Sequence, residues 1–217
     1  MNRDSETVRA PDSDAHAVEE SDDLRARLID AANEVFAERG YDGAGVHEIA
    51  RRAGLTTGAI YSRFRGKDDL LLEAIDKSMP EEIERLLSGQ VDADAASIIT
   101  QLGSHLVVER DGCSVLLEAI VASRREPALA ERIGGRLDDD SRRLAKLVDE
   151  AKSAGLVDES YSTEAITTFC NAVSFGMLVT NALDRDLPDH QSWDRLIAGL
   201  VTALAPVRPD PTTREPR

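Results

Sequence analysis

The stretch "GLTTGAIYSRFRGKDDL" runs from Gly54 to Leu70. Gly54 falls where a left-handed turn residue belongs, Leu55 is the expected buried turn residue, and Thr56 offers a hydroxyl to cap a helix. Ile60 and Phe64 supply the inward-facing apolar groups. The charge is unusual as well. Arg51, Arg52, Arg63, Arg65 and Lys67 crowd this region, and Glu48 is the one acid in the window 47–67. The whole chain of 217 residues carries a formal net charge of -15.

Working outward, Val46, Ile49, Ala50 and Ala53 recur at the spacing of a short helix just before Gly54. Upstream, Leu24, Leu28, Ala31, Ala32, Val35 and Phe36 trace one face of a longer helix. Ser21, Asp22 or Asp23 can cap its start, and Gly40 ends it after Arg39. Two short helices joined by a Gly-containing turn form a helix-turn-helix. With Val46, Ile49, Ala50, Leu55 and Ile60 turned inward, the outer face of the last helix keeps Thr57, Gly58, Ala59, Tyr61, Ser62 and Arg63. These are small or hydrogen-bonding groups with one cation and no acid, which suits a helix lying in a major groove. Lys67 precedes Asp68-Asp69 at a helix start, where an ammonium beside backbone amides makes a phosphate clamp. Three short helices also occur in bundles that bind nothing, and the five cations would then be a solvated face.

The charge divides the chain. Residues 1–23 hold eight acids and two bases, residues 24–67 hold eight bases and five acids, and the remainder carries -12. This predicts a disordered acidic tail over 1–20, a helix-turn-helix module over 21–67, a helical body over 68–205 and a disordered, proline-rich end over 206–217. The tail has no apolar core and does not read as a signal peptide. Apolar helical stripes recur through the body, among them Leu70–Met79, Ile98–Val108, Val115–Arg124 and Ile133–Ala151, with Gly134-Gly135 placed to bend or break the last. Strand-like alternation is missing, so the fold class is all-α. "AITTFCNAVSFGMLVTNAL", Ala165 to Leu183, has the length of a membrane span, but its Thr, Asn and Ser content reads as a helix buried in protein.

Catalysis has no sequence support. His16, His47, His105 and His190 are scattered, and no metal-ligand spacing, phosphate loop or nucleophile motif occurs, so no cofactor, metal or catalytic residue is expected. Cys113 and Cys170 fit no metal or redox spacing. They read as free thiols in a reducing cytoplasm, with a redox-sensing pair as the alternative.

The stretch Leu28 to Ile75 resembles the N-terminal domain of the tetracycline-repressor (TetR) family. The resemblance rests on Ala31-Ala32, Phe36, Gly40-Tyr41, Val46, Ile49-Ala50, Ala53-Gly54, Gly58, Tyr61, Phe64 and Lys67. It implies a transcriptional regulator, commonly a repressor, that binds a palindromic operator as a homodimer and is released by a small-molecule effector. It places the recognition helix at Thr56 to Arg63. Tyr61 and Lys67 fall at phosphate-contacting positions, Thr57, Gly58 and Ala59 face the bases, and His47 reaches DNA from the preceding helix. Two positions depart from the family pattern. Ala44-Gly45 replaces a common Thr-Thr pair, and Thr57 stands where many members carry Lys; both bear on the strength of binding.

The last two helices, about 163–183 and 191–205, carry broad apolar faces. Ile166, Phe169, Val173, Gly176, Met177 and Thr180 line the first; Trp193, Leu196, Ile197, Leu200, Val201 and Leu204 line the second. They are the expected dimer interface, with an intrachain core as the alternative. An effector pocket of unknown lining is expected among the helices between Leu70 and Leu183, with His105, Glu118, Arg124 and Asn171 as candidate polar contacts. Effector binding would shift the helix from Asp68 to Met79 and separate the recognition helices.

Overall fold

A computed structural model describes residues 13–78, 81–88, 93–107 and 113–206. Every regular element among them is helical: α1 (Ser13–Gly43), α2 (Val46–Arg52), α3 (Thr57–Tyr61), α4 (Lys67–Ser78), α5 (Glu81–Leu87), α6 (Ala95–Ser104), α7 (Cys113–Ser123), α8 (Pro127–Ser153), α9 (Thr163–Ala182) and α10 (His190–Ala203). A 3-10 turn, His105–Val107, follows α6. The chain forms two compact units, which divide between Ala74 and Ile75 inside α4. The expected division lay at 67/68. It falls later because Leu70, Leu71 and Ala74 are fully buried, so the first two turns of α4 are themselves core.

In the first unit, Leu28, Val35 and Phe36 of α1 are completely buried with Ile49 of α2 and Ile60 of α3. Two glycines set the chain direction. Gly40 takes φ 67° and breaks α1, and Gly54 takes φ 68° between α2 and α3. Any Cβ is disfavoured in that region of backbone space. Leu55 and Val46, expected to be inward, are half-buried. Helix α1 begins at Ser13, within the segment expected to be a disordered tail over 1–20. No proline or glycine lies between Ser13 and Gly40, so the backbone has no reason to stop at Ser21. Residues 1–12 and most of the C-terminal end, 207–217, lie outside the described residues.

The second unit is built on α8, which buries Leu129, Ile133, Leu147, Val148 and Ala151. The glycine pair does not break it. Gly134 and Gly135 keep helical geometry, because the buried turns on either side outweigh the roughly 1 kcal/mol propensity cost of each glycine. The helix ends at Gly155, φ 69°. One core cluster joins Ile99, Val148, Ala151, Val157 and Ile166, and another joins Leu86, Ile98 and Leu147. Helix α10 lies on α6, with Ile197 buried and the Trp193 indole donating to the Gly103 carbonyl at 2.9 Å.

The helix over Ala165–Leu183 was expected to be buried in protein, with a partner copy covering part of it. In the single chain only Ile166 and Thr167 of α9 are buried. Phe175, Val179 and Leu183, spaced i, i+4, i+8, are 37%, 44% and 64% exposed. On α10, Leu196 and Leu200 are 52% and 41% exposed. Helix α9 is long and apolar enough to cross a membrane by length and composition alone. Its outer stripe lacks a cover because α9 packs on α7 and α8 and not broadly on α10.

Candidate nucleic-acid interface

Helix α3 is one and a half turns long, and its ends are fixed by local chemistry. The Thr56 hydroxyl accepts from the Ala59 amide at 3.3 Å. The chain then leaves through Ser62, and the Phe64 amide bonds to the Ile60 carbonyl at 2.8 Å. The regular helix, Thr57–Tyr61, is thus shorter than the expected Thr56–Arg63 span. Ile60 is the one fully buried residue on it. Tyr61 is 61% exposed, Gly58 and Ser62 are exposed, and Thr57, Ala59 and Arg63 are half-buried. A Cβ added at Gly58 would meet nothing closer than the Thr56 hydroxyl at 3.6 Å, so the fold does not require glycine there.

Arg63 is incompletely satisfied. It donates to the Ser62 hydroxyl at 3.0 Å, while its Nε is buried without a hydrogen-bond partner. Such a group is held at a cost of about 1–3 kcal/mol until it finds an acceptor. Arg65 is exposed, and its amide donates to Asp69 at 2.7 Å, which caps α4.

Lys67 is held by Tyr41, a residue missing from the sequence-based site. The ammonium lies 3.9 Å from the Tyr41 ring centroid and donates to the Tyr41 carbonyl at 2.8 Å. The Tyr41 hydroxyl donates to Asp68. The aromatic face and carbonyl share a cation that keeps its remaining protons for another acceptor. The Gly40-Tyr41 pair was legible in the sequence as a resemblance mark; its grip on Lys67 was not.

The cations at 51 and 52 are in a different state. Arg51 donates to Glu48 at 2.7 and 2.9 Å. Arg52 makes a two-pronged bond to Glu38, 2.7 Å on each arm, and also reaches Glu34 and Glu48. The Glu48 carboxyl is pushed down to about 2, first by the hydrogen bond from Arg51, then by the positive charges of Arg51, Arg39 and Arg52. Glu38 is lowered by its bond to Arg52. Five cations in the sequence therefore reduce to Arg63, Arg65 and Lys67 beside α3. His47 is exposed on α2. Helix α2 starts at Gly45 without a side-chain cap, as Ala44-Gly45 required.

In the second unit a cavity of about 700 Å³ opens among α5–α10. Its wall includes Leu102, Leu137, Leu144, Phe169, Trp193 and Leu200, with Asp140, Ser141 and Asn171 as a polar corner. Of the four sequence candidates only Asn171 lies on this wall. His105 instead turns its Nδ1 to the Gln101 carbonyl at 2.8 Å. Among the described residues no three His, Cys, Asp or Glu side chains gather as a metal site. Cys170, also on the wall, is a free thiol whose pKa is raised by burial.

A short two-helix reader followed by an all-helical body defines the class: a helix-turn-helix protein with a separate helical unit. Residues 28–74 match the model of bacterial regulatory proteins, tetR family. The chain is 43% identical over 60 residues to the fatty acid metabolism regulator protein of Bacillus subtilis, an alignment covering 28% of this chain and 31% of that one. The first three curated relatives are matched over only 24–31% of their own length. Solved structures extend the likeness. The crystal structure of a protein assigned to the TetR family from Rhodococcus sp. aligns with TM-score 0.71 at 16% identity, over 85% of this chain and all of that one. The fatty acid degradation regulator FadR from Bacillus halodurans aligns with TM-score 0.69 at 24% identity, over 82% and 97%. Residues 28–74 therefore carry a domain of the tetR family model, and the chain shares its overall fold with these solved structures.

Proposed function

We propose that the chain is a sequence-specific DNA-binding transcriptional regulator, a cytoplasmic homodimer that represses from a palindromic operator until a small-molecule effector releases it. The observation that carries this reading is the acid-free face of α3. It joins the exposed Tyr61 and Ser62, the half-buried Thr57 and Ala59, the bare backbone at Gly58, and the three cations Arg63, Arg65 and Lys67 at its edge. Thr57, Gly58 and Ala59 approach base edges. Tyr61, Lys67 and the α2 residue His47 position the backbone. Thr56 and Ser62 frame the helix. Arg63 gains most by turning outward, since DNA supplies the acceptor that its Nε lacks inside.

The uncovered stripes support dimerisation. Phe175, Val179 and Leu183 on α9, with Leu196 and Leu200 on α10, form the apolar surface that a second copy would cover. Paired subunits would set two α3 helices one turn of DNA apart, about 34–36 Å. The fatty-acid names among the relatives do not define the effector here. The curated match extends over 60 residues, and the structural likenesses below 25% identity concern the fold.

The test is charge reversal. Lys67→Glu in the full-length protein should abolish binding to any duplex, while Arg142→Glu in the helical body leaves it intact. Equal losses from both would mean that the α3 face is not the contact surface.

A further inference from the structure

The cavity in the second unit carries information about its occupant in its charge. At about 700 Å³ it lies in the range of drug-sized ligand sites. Almost all of its wall is aliphatic or aromatic; apart from Tyr161, Ser174 and Trp193, its polar residues are Asp140, Ser141 and Asn171, which form one corner. There the Asn171 amide donates to the Ser141 hydroxyl at 2.9 Å. Asp140 is the one charged residue among the described residues on the wall. No described lysine, arginine or histidine lines it.

The cation behind Asp140 is already shared. Arg136 bonds to Asp140 at 2.5 Å and to Asp76 at 2.6 Å. One guanidinium between two carboxylates leaves the group at net -1. Its side chain is only 23% exposed, and both bonds would have to break before it could turn to another anion. A carboxylate or phosphate head in this corner therefore meets net negative charge, with the neighbouring guanidinium already engaged. A protonated amine meets an acceptor and an opposite charge.

We propose that the cavity takes an elongated apolar ligand with a protonated amine at one end, its ammonium at Asp140 and its chain along Leu137, Leu144 and Leu102. This rests on the reading of the second unit as the effector-binding part. It excludes fatty acids as the preferred occupants.

The experiment is calorimetric titration of the full-length protein with dodecylamine, dodecanol and dodecanoate, each below its micelle concentration. The amine should bind about tenfold or more tighter than the carboxylate, with the alcohol between. An acidic protein also attracts amines non-specifically, so two variants are needed. Asp140→Asn should shrink the preference for amine over carboxylate to about threefold or less. Arg136→Gln, which leaves the corner more negative, should widen it. A general folding defect would lower both affinities in both variants, and surface attraction among 41 acids would ignore either change. Equal or tighter binding of dodecanoate overturns the proposal, as does a preference unmoved by both variants or binding of none of the three. Duplex binding measured in the same samples separates the two readings. An amine that binds without loosening DNA leaves the ligand class standing and removes effector release. Absence of ligand binding beside specific DNA binding does the reverse.

Discussion

At the scale of single residues, the proposed interface would sort into positioning and reading groups. Tyr61 is the most exposed large side chain of α3, and Lys67 is pre-set over Tyr41. Tyr61→Phe with Lys67→Ala should weaken binding to all sequences alike. The slope of log affinity against log salt should become shallower by about 0.9 for each phosphate that is no longer neutralised. Thr57→Ala or Arg63→Ala should change which sequences are preferred. Titrations over a panel of duplexes and salt concentrations check this, and similar behaviour of all four positions would remove the division. Much of this face was legible in the sequence, since capping and periodicity at Thr56, Ile60 and Phe64 fix which residues look outward. The state of Arg51 and Arg52 was not. Glu34 and Glu38 lie on α1, and only folding brings them to Arg52.

At the scale of elements, two contacts hold neighbouring helices. The first is the Glu48 cluster, which ties α2 to α1 through Arg39 and Arg52. A carboxyl depressed from 4.5 to about 2 stabilises the fold fully above its unfolded value, and that contribution disappears as pH falls through about 2. The stability gap between the native protein and Glu48→Gln should therefore be constant near neutral pH and close between about 4.5 and 2. Chemical denaturation across that range measures it. The second contact is α6 against α10. A Cβ at Gly103 would lie 2.7 Å from Ile197 Cγ2, and β-branched Ile197 has little freedom to withdraw. Gly103→Ala should destabilise the second unit by about 1–3 kcal/mol, read as a lowered melting temperature. The glycine was visible in the sequence as a helix residue. Its close approach to α10, ninety residues away, follows only from packing. In the same way periodicity marked the last two helices as apolar but not that α9 and α10 would leave a cavity between them.

At the scale of the whole molecule, the uncovered stripes of α9 and α10 and the net charge of -15 act together. On the proposed reading the acidic body would disfavour DNA everywhere except at the α3 face, and a dimer would double that one permitted contact. Leu196→Glu with Leu200→Glu should leave the monomer folded, since both side chains are exposed, and should dissociate the dimer in sedimentation experiments. Operator affinity should fall by about tenfold or more, because one reader loses the effective concentration supplied by the other. A variant that remains dimeric would place the interface elsewhere.

On the proposed reading, paired α3 helices read one defined sequence. Selection of bound duplexes from a random DNA pool, with the full-length protein at about 150 mM salt, tests it most directly. The expected result is an enriched palindrome whose half-sites lie one helical turn apart. Recovery of a pool with no enriched sequence would contradict it.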